Sequence, residues 1–459
     1  MKSATLRLSL FTLPLLAALS SGVRAQGSLT PPAGPPAPVF KTLNQIEART
    51  PISSVTGDAT AIHVIKLPGS YYLTGDVTGG TGKAGIRIEA VNVNIDLNGY
   101  ALDAVVGSTA GIQTTAPGGP IMVRNGIIRG FANGLDILGA TQFVGQDIQV
   151  VSPQDTGIKF DGQGILERVT INGGKGNGIE ATAISRVKIR DCRIQALTRT
   201  TLATGINAEQ GVVENCHISG VSGVGSYGIS AAKSVTGCTI QAITSSGLGR
   251  AVGIQAEFVS DCTIADVSQT GTAGAVGVSN ARGASRCNVL NLSGSDATGF
   301  LSVQRLTDSD ASSLTGTTAV TGIGDCATVH NCRASGLISA SGMITGISLP
   351  ARARATENVV SLGAGTGMLL RDYCVASGNT VGLPLGTGTG ISGATPVTGV
   401  RIEGNHVSGG ATGLLANDTS AVVVRNTVAG ATTHYTVHAG VSVANSTAPG
   451  TNPFTNLRQ

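Results

Sequence analysis

Apolar and polar residues alternate along much of this chain. In Val91-Asn92-Val93-Asn94-Ile95-Asp96-Leu97 every second side chain is apolar, and Asn98-Gly99 then supplies a turn. That is the period-two signature of a strand with one buried face. The same grammar returns in Ile121-Met122-Val123-Arg124-Asn125-Gly126 and in Val187-Lys188-Ile189-Arg190-Asp191. No repeat holds ten residues of helical period, which excludes repeats built from helices, and the runs are too short for the blades of roughly 40 residues that a propeller needs.

A glycine followed by a large apolar residue marks the repeat. Fifteen such pairs run from Gly85-Ile86 through Gly111-Ile112, Gly134-Leu135 and Gly157-Ile158 to Gly413-Leu414, spaced 21 to 27 residues apart with a mean of about 23. Self-similarity at this period is the mark of a solenoid. The expected fold is all-β: a single-stranded right-handed parallel β-helix of about 15 coils, each holding two or three short strands, over residues 62–444.

A second column sharpens the register. One position per coil reads Asn125, Gln146, Val169, Cys192, Cys216, Cys238, Cys262 and Cys287, then, after an irregular coil, Cys332, Asn358, Asn379, Asn405 and Asn426. An inward-facing turn accounts for both residue types, because asparagines can hydrogen-bond along a stack and cysteine is a small hydrophobe. Two readings fit the cysteines. They form a column of buried free thiols, or they are bridged vertically, since stacked strands about 4.8 Å apart are within disulfide reach. Five in a row leave at least one unpaired, and the spacing lacks the close Cys pairs of zinc sites. Cys326 and Cys374 fall off the column.

The N-terminus reads as an export signal over residues 1–25: Lys2 and Arg7 precede an apolar run from Leu8 to Leu19, with Val23-Arg24-Ala25 as the cleavage site. Residues 26–38 form a proline-rich linker, and 39–61 a cap in which Val39–Arg49 is a short helix closing the open end of the solenoid. Residues 445–459 are a polar tail. The expected location is secreted, periplasmic or at the cell surface, and no segment is long and apolar enough to span a membrane. The net charge of +4 falls to +1 once Lys2, Arg7 and Arg24 are removed, which gives no electrostatic footprint for nucleic acid. Tryptophan is absent and aromatics make up 3% of the chain against 66 glycines, a composition suited to flat layers of small and β-branched side chains.

The stretch Gly69-Ser70-Tyr71-Tyr72-Leu73-Thr74-Gly75, with Ile95-Asp96-Leu97-Asn98-Gly99 and Arg124-Asn125-Gly126-Ile127-Ile128-Arg129-Gly130, resembles the opening coils of bacterial secreted right-handed parallel β-helix repeat proteins of the pectin-lyase-like superfamily. The resemblance covers about Val39 to Ala444. It implies the fold, and it implies a polysaccharide or cell-surface glycan as partner, since members with known roles act mostly on polysaccharides as lyases, hydrolases or phage adhesins. The catalytic strings of the polygalacturonase-like members (Asn-Thr-Asp, Asp-Asp, Gly-His-Gly, Arg-Ile-Lys) do not occur here, and a Trp-x-x-x-Asp-His element is excluded by composition.

No cofactor or metal is expected. The six histidines are scattered, and although His217 and His406 occupy equivalent places after the column residue, they belong to distant coils. One charged cluster stands out. Counting two residues past the repeat glycine gives Arg87, Gln113, Asp136, Lys159, Glu180 and Asn207, with Glu89 and Asp161 two further on. Asp136, Lys159, Asp161 and Glu180 should therefore share an outward patch over three successive coils. Two readings are open for it: a surface ladder of alternating charge, or the carboxylate pair of an inverting glycosidase or a lyase, with Asp136 and Glu180 two coils apart. Asp308 with Asp310, and Asp372-Tyr373, are lesser candidates. The sequence favours a non-enzymatic scaffold or glycan-binding rod over an enzyme.

Overall fold

A computed structural model describes residues 48–115, 118–182, 186–393, 397–438, 445–446 and 455–458. From Arg49 onward the chain forms a parallel β-solenoid of about 17 turns. Each turn contributes to three sheets. The first contains Ala84–Ile88, Ala110–Thr114 and Asn133–Ile137; the second, Gly69–Tyr72 and Val93–Asp96; the third, Ala101–Asp103 and Thr170–Gly174. Pro120–Arg129 and Gln142–Val151 run from the second sheet into the third without a break. Strands pair in parallel with their counterparts in the neighbouring turns, so that Ile86, Ile112, Leu135, Ile158, Ile179 and Ile206 are stacked partners or near-partners on one fully buried level. Burying each such side chain stabilises the stack by roughly 1.5–3 kcal/mol, and each level needs the next to complete it.

The repeat glycines have a steric cause. They sit where the third sheet turns into the first, with two successive residues facing the interior. A Cβ on Gly228 would lie 2.5 Å from Ile240 Cγ2 and 2.6 Å from the carbonyl oxygen of Gly253, the glycine of the next turn. At Gly322 the same atom would meet Ala334 Cβ and Gly346 O, both at 2.7 Å. At these turns the corner is therefore closed to any side chain. The expected count of 15 coils falls short because two turns keep the strand and lose the glycine. In Ala61–Ile65 the register places Ile62 opposite Gly85, and in Thr433–Val437 it places His434 opposite Gly413.

The ends also differ from expectation. The helix expected over Val39–Arg49 lies outside the described residues except for Ala48 and Arg49, which are not helical. Strand pairing starts at Thr50–Pro51, followed by a single 3-10 turn, Ile52–Ser54. At the other end Asn456–Arg458, inside the stretch read as a tail, pairs with Thr427–Ala429. Among the described residues no helix is long and apolar enough to cross a membrane.

The corner between the second and third sheets is one residue long throughout the regular turns, and that residue is left-handed. Asn125, Asp147, Arg168, Asp191, Asn215, Asp261, Arg286, Asp308 and Asn331 all have φ between 50° and 61°. Asn and Asp tolerate this region because their short side chains bond locally. Here they also bond along the stack: Asn331 Nδ2 donates to Asp308 Oδ1 at 2.7 Å, and Arg286 clamps Asp261 through Nε at 2.6 Å and a second nitrogen at 2.8 Å.

The inward column begins one residue later. Its members are Gly126, Ile148, Val169, Cys192, Cys216, Cys238, Cys262, Cys287, Ser309, Cys332, Asn358, Asn379, Asn405, Asn426 and Asn456. Asn125 and Gln146 do not belong to it: Asn125 is the left-handed corner residue, and Gln146 ends the second-sheet strand. Ser309 fills the coil that looked irregular, accepting from Cys287 N–H at 3.2 Å and donating to Thr307 O at 2.7 Å. From Asn358 on, the ladder is fully bonded. Asn405 Nδ2 donates to Asn426 Oδ1 and to Ala376 O, both at 2.9 Å, while Asn405 Oδ1 accepts from the Nδ2 and the backbone N–H of Asn379, also at 2.9 Å.

All eight cysteines are buried and free. Column thiols donate to the carbonyl two residues back, at 3.2 Å for both Cys192 to Arg190 O and Cys216 to Glu214 O. Burial pushes the Cys326 and Cys332 thiols up to about 12, so they stay neutral. Cys374 fills an inward level between Ala353 and Val400.

Candidate functional site

The register places the charged row as the spacing requires. Asp136 pairs with Gln113 on one side and Lys159 on the other, Lys159 pairs with Glu180, and Glu180 with Asn207. All face outward from the first sheet between buried neighbours. Asp136 and Glu180 are thus two strand spacings apart, about 9.6 Å between backbones. Asp161 is engaged elsewhere: its Oδ1 accepts the backbone N–H of Gly139 in the preceding turn.

Asp136 is the chemically unusual member. Its Oδ1 is buried without a hydrogen-bond partner, and only Asn133 Nδ2 reaches Oδ2, at 3.4 Å. Burial raises its pKa above the ordinary carboxylate value, against the opposing pull of Lys159 and Asn133. Glu180 has a matching neighbour in Asn177, at 3.5 Å. These asparagines precede the repeat glycines and also hold the corner, Asn133 Oδ1 accepting from Thr156 N and Asn177 Oδ1 from Thr204 N. The sequence signal for them was the Asn-Gly step in alternate coils, Asn133-Gly134 and Asn177-Gly178.

The lesser candidates separate. Asp308 is a corner residue, whereas Asp310 lies on the outward face of the third sheet in a shallow depression with Arg286, Asn331 and Arg333. Burial raises the Asp310 pKa, and Arg333 opposes it. Asp372 Oδ1 accepts from Thr398 N at 2.8 Å, and the Tyr373 ring lies 5.9 Å from the Arg352 guanidinium carbon. His217 and His406 are eight turns apart, about 38 Å at about 4.8 Å per turn. Among the described residues no group of three or more His, Cys, Asp or Glu side chains is placed to hold a metal ion.

A different surface forms a wider depression. On the outward side of the second sheet, Gln142, Gln163, Arg186 and Gln210 stack on successive turns, and with Ile165, Lys188, Val212 and Lys233 they line a trough of about 820 Å³. Farther along the same sheet Phe258, Arg282, Gln304, Arg305, Thr307 and Thr328 line a second trough of about 740 Å³. One outward row joins the two, running Ile165, Lys188, Val212, Ser234, Phe258, Gly283, Arg305, Thr328. Ile165 and Phe258 are 39% and 46% exposed, large apolar surfaces among amide, guanidinium and hydroxyl groups. Sequence reading missed these residues. The corner between the first and second sheets varies in length, and no single residue type repeats there.

Residues 133–293 match the family model described as right handed beta helix region. Comparison with curated proteins and with solved structures gives no match for the chain. The matched region covers the turns that hold the Asp136 row and the first trough, and the same parallel register continues on both sides of it. The chain is a right-handed parallel β-helix repeat protein.

Proposed function

We propose that the protein is an exported, non-catalytic β-helix that binds a glycan along the outward face of its second sheet. One observation carries the reading: the two troughs lie on one sheet and share one outward row, which offers apolar patches at Ile165 and Phe258 between side chains that both donate and accept hydrogen bonds. Sugar rings present the same combination, an apolar face rimmed by hydroxyls, and Gln and Arg suit such planar polar contacts. Export is supported by the pattern of residues 1–25. N-terminal sequencing of protein recovered outside the cytoplasm should begin at Gln26. Calorimetry against a panel of oligosaccharides tests the binding: the Gln163→Ala, Arg186→Ala double variant should weaken binding about tenfold or more, and a panel with no binder overturns the reading.

A second reading rests on Asp136. A half-buried carboxyl with a raised pKa beside a lysine, two turns from a second carboxylate, has the makings of a general acid in glycoside hydrolysis. Reducing-end release from the same panel would then vanish in Asp136→Asn. The profile would fall as pH rises through the raised Asp136 pKa, because the acid must hold its proton. Equal release by wild type and variant removes this reading.

A further inference from the structure

Five consecutive turns place a cysteine at one inward position, Cys192, Cys216, Cys238, Cys262 and Cys287, and Ser309 closes the run. The side chains repeat as well as the backbone. Each thiol donates to the carbonyl two residues before it, at 3.2 Å for Cys192 and Cys216, 3.5 Å for Cys238, 3.1 Å for Cys262 and 3.3 Å for Cys287. Sulfurs held in one orientation on stacked strands recur at the strand spacing, about 4.8 Å. That is far beyond a sulfur–sulfur bond of about 2.05 Å, and it is close to twice a metal–thiolate bond of about 2.3 Å.

A second feature faces the same sulfurs. The backbone N–H of Cys216 donates to Cys238 Sγ at 3.4 Å, and the backbones of Val169, Cys238 and Cys262 stand in the same relation to the sulfurs of Cys192, Cys262 and Cys287. In the amide stretch the side-chain oxygen takes this donor, as Asn405 Oδ1 does from Asn379 N at 2.9 Å. An N–H aimed at sulfur favours the thiolate and tunes it as a ligand. The column therefore combines donors for negative sulfur with gaps of the length that a two-coordinate ion spans.

We propose that the thiol column binds soft monovalent cations with a filled d shell, copper(I) or silver(I), one in each gap between stacked sulfurs. Thiolate ligands select ions of this kind, and two opposed ligands suffice for them. Zinc needs four ligands, whereas each gap offers two sulfurs, one above and one below, in keeping with the absence of any group of three or more ligand side chains among the described residues. Four ions entering the four gaps displace four protons while one end thiol keeps its own, so four thiolates balance four cations and nothing is oxidised or reduced. Each inner thiolate bridges the ion above it and the ion below, which leaves no uncompensated charge in the interior. The run stops at Cys287 because Ser309 presents oxygen, a poor ligand for a soft ion. Cys332 lies beyond it, between Ser309 and Asn358.

Silver(I), which is stable in air, is the probe. One portion of the full chain is incubated with silver nitrate and another is refolded in its presence; after excess ion is removed, native mass spectrometry counts the ions retained. One ion per gap gives four, each with two sulfur neighbours by X-ray absorption. Position in the column then decides. Cys238→Ala removes two gaps and should leave two ions, Cys287→Ala removes one gap and should leave three, and Cys374→Ala, off the column, should leave four. Where an alanine variant does not fold, serine at the same position, the residue that Ser309 shows the column accepts, gives the same count. If Cys238→Ala and Cys287→Ala lose equal numbers of ions, the ions sit on single thiols and the shared chain is wrong. If neither portion of the wild type retains silver, or if Cys374→Ala lowers the count as Cys287→Ala does, the inference fails.

Discussion

Two stretches of one column solve the same problem with different chemistry. Between Cys192 and Cys287 the corner position is filled by thiols, whereas between Asn358 and Asn456 it is filled by amides that bond to each other at 2.9–3.1 Å. Both are buried, and both follow a single left-handed residue. The position itself takes any inward residue, since Gly126, Ile148 and Val169 fill it at the N-terminal end; what the two stretches add is a bond to a carbonyl, weak from a thiol and strong from an amide. The thiol stretch should therefore depend on packing and the amide stretch on hydrogen bonds, a distinction that mutation can break.

The largest effect is expected at the amide end. Asn405→Ala would strand the Asn379 backbone N–H in the interior and take one partner each from Asn379 Nδ2, Ala376 O and Asn426 Oδ1, costing about 3–5 kcal/mol by chemical denaturation. Hydrogen exchange should show the turns from Ala376 to Asn456 opening first, since a solenoid is coupled turn to turn. Glycine substitutions should not distinguish the stretches at all. Gly228→Ala in the thiol stretch meets Gly253 O at 2.6 Å, and Gly367→Ala in the amide stretch meets Gly390 O at 2.5 Å, so each should cost about 2–4 kcal/mol; a large inequality would mean that the two stretches differ in backbone spacing as well as in side chains. At the thiol end Cys238→Ala removes a buried atom and a weak donor, for about 1–2 kcal/mol. Native protein should resist thiol alkylation, with all eight cysteines labelled only after unfolding; mass spectrometry under non-reducing conditions that finds vertical bridges would end the comparison. The smallest effect belongs to the corner surface, where Arg286→Ala should barely move the denaturation midpoint, and less still in concentrated salt.

The difference between the stretches was legible in the sequence; its frame was only partly so. The Gly-Ile spacing gave the register that placed Asp136, Lys159 and Glu180 side by side, because a steric rule at the corner repeats from Gly85 to Gly413. His434 escaped the count because no further described strand is stacked on its side of the rule, and Ile62, which does carry the Gly85 turn, is an exception to it. Asn125 was mistaken for a column residue because a left-handed corner and an inward ladder both favour asparagine, for unrelated reasons. Ser309 was overlooked because a hydroxyl can do the work of thiol and amide alike. The troughs were invisible for a deeper reason. Gln163, Arg186, Gln210 and Lys233 come together through register across a corner whose length varies, so no spacing rule links them in the chain.

The one-residue corner limits where this molecule can change. From Arg124 through Asn125 to Gly126 onward, as far as Val424 through Arg425 to Asn426, the passage admits no extra residue, so the later variation in repeat length is absorbed at the other two corners; only the opening turn, where Asp96 and Ala101 stand opposite Arg124 and Ile127, is two residues longer there. Insertions there leave the stack untouched. Such a scaffold can acquire or lose recognition loops along two edges while its third edge stays constant from Asn125 on, and a loop grafted between the first and second sheets would arrive beside the troughs without any redesign of the core.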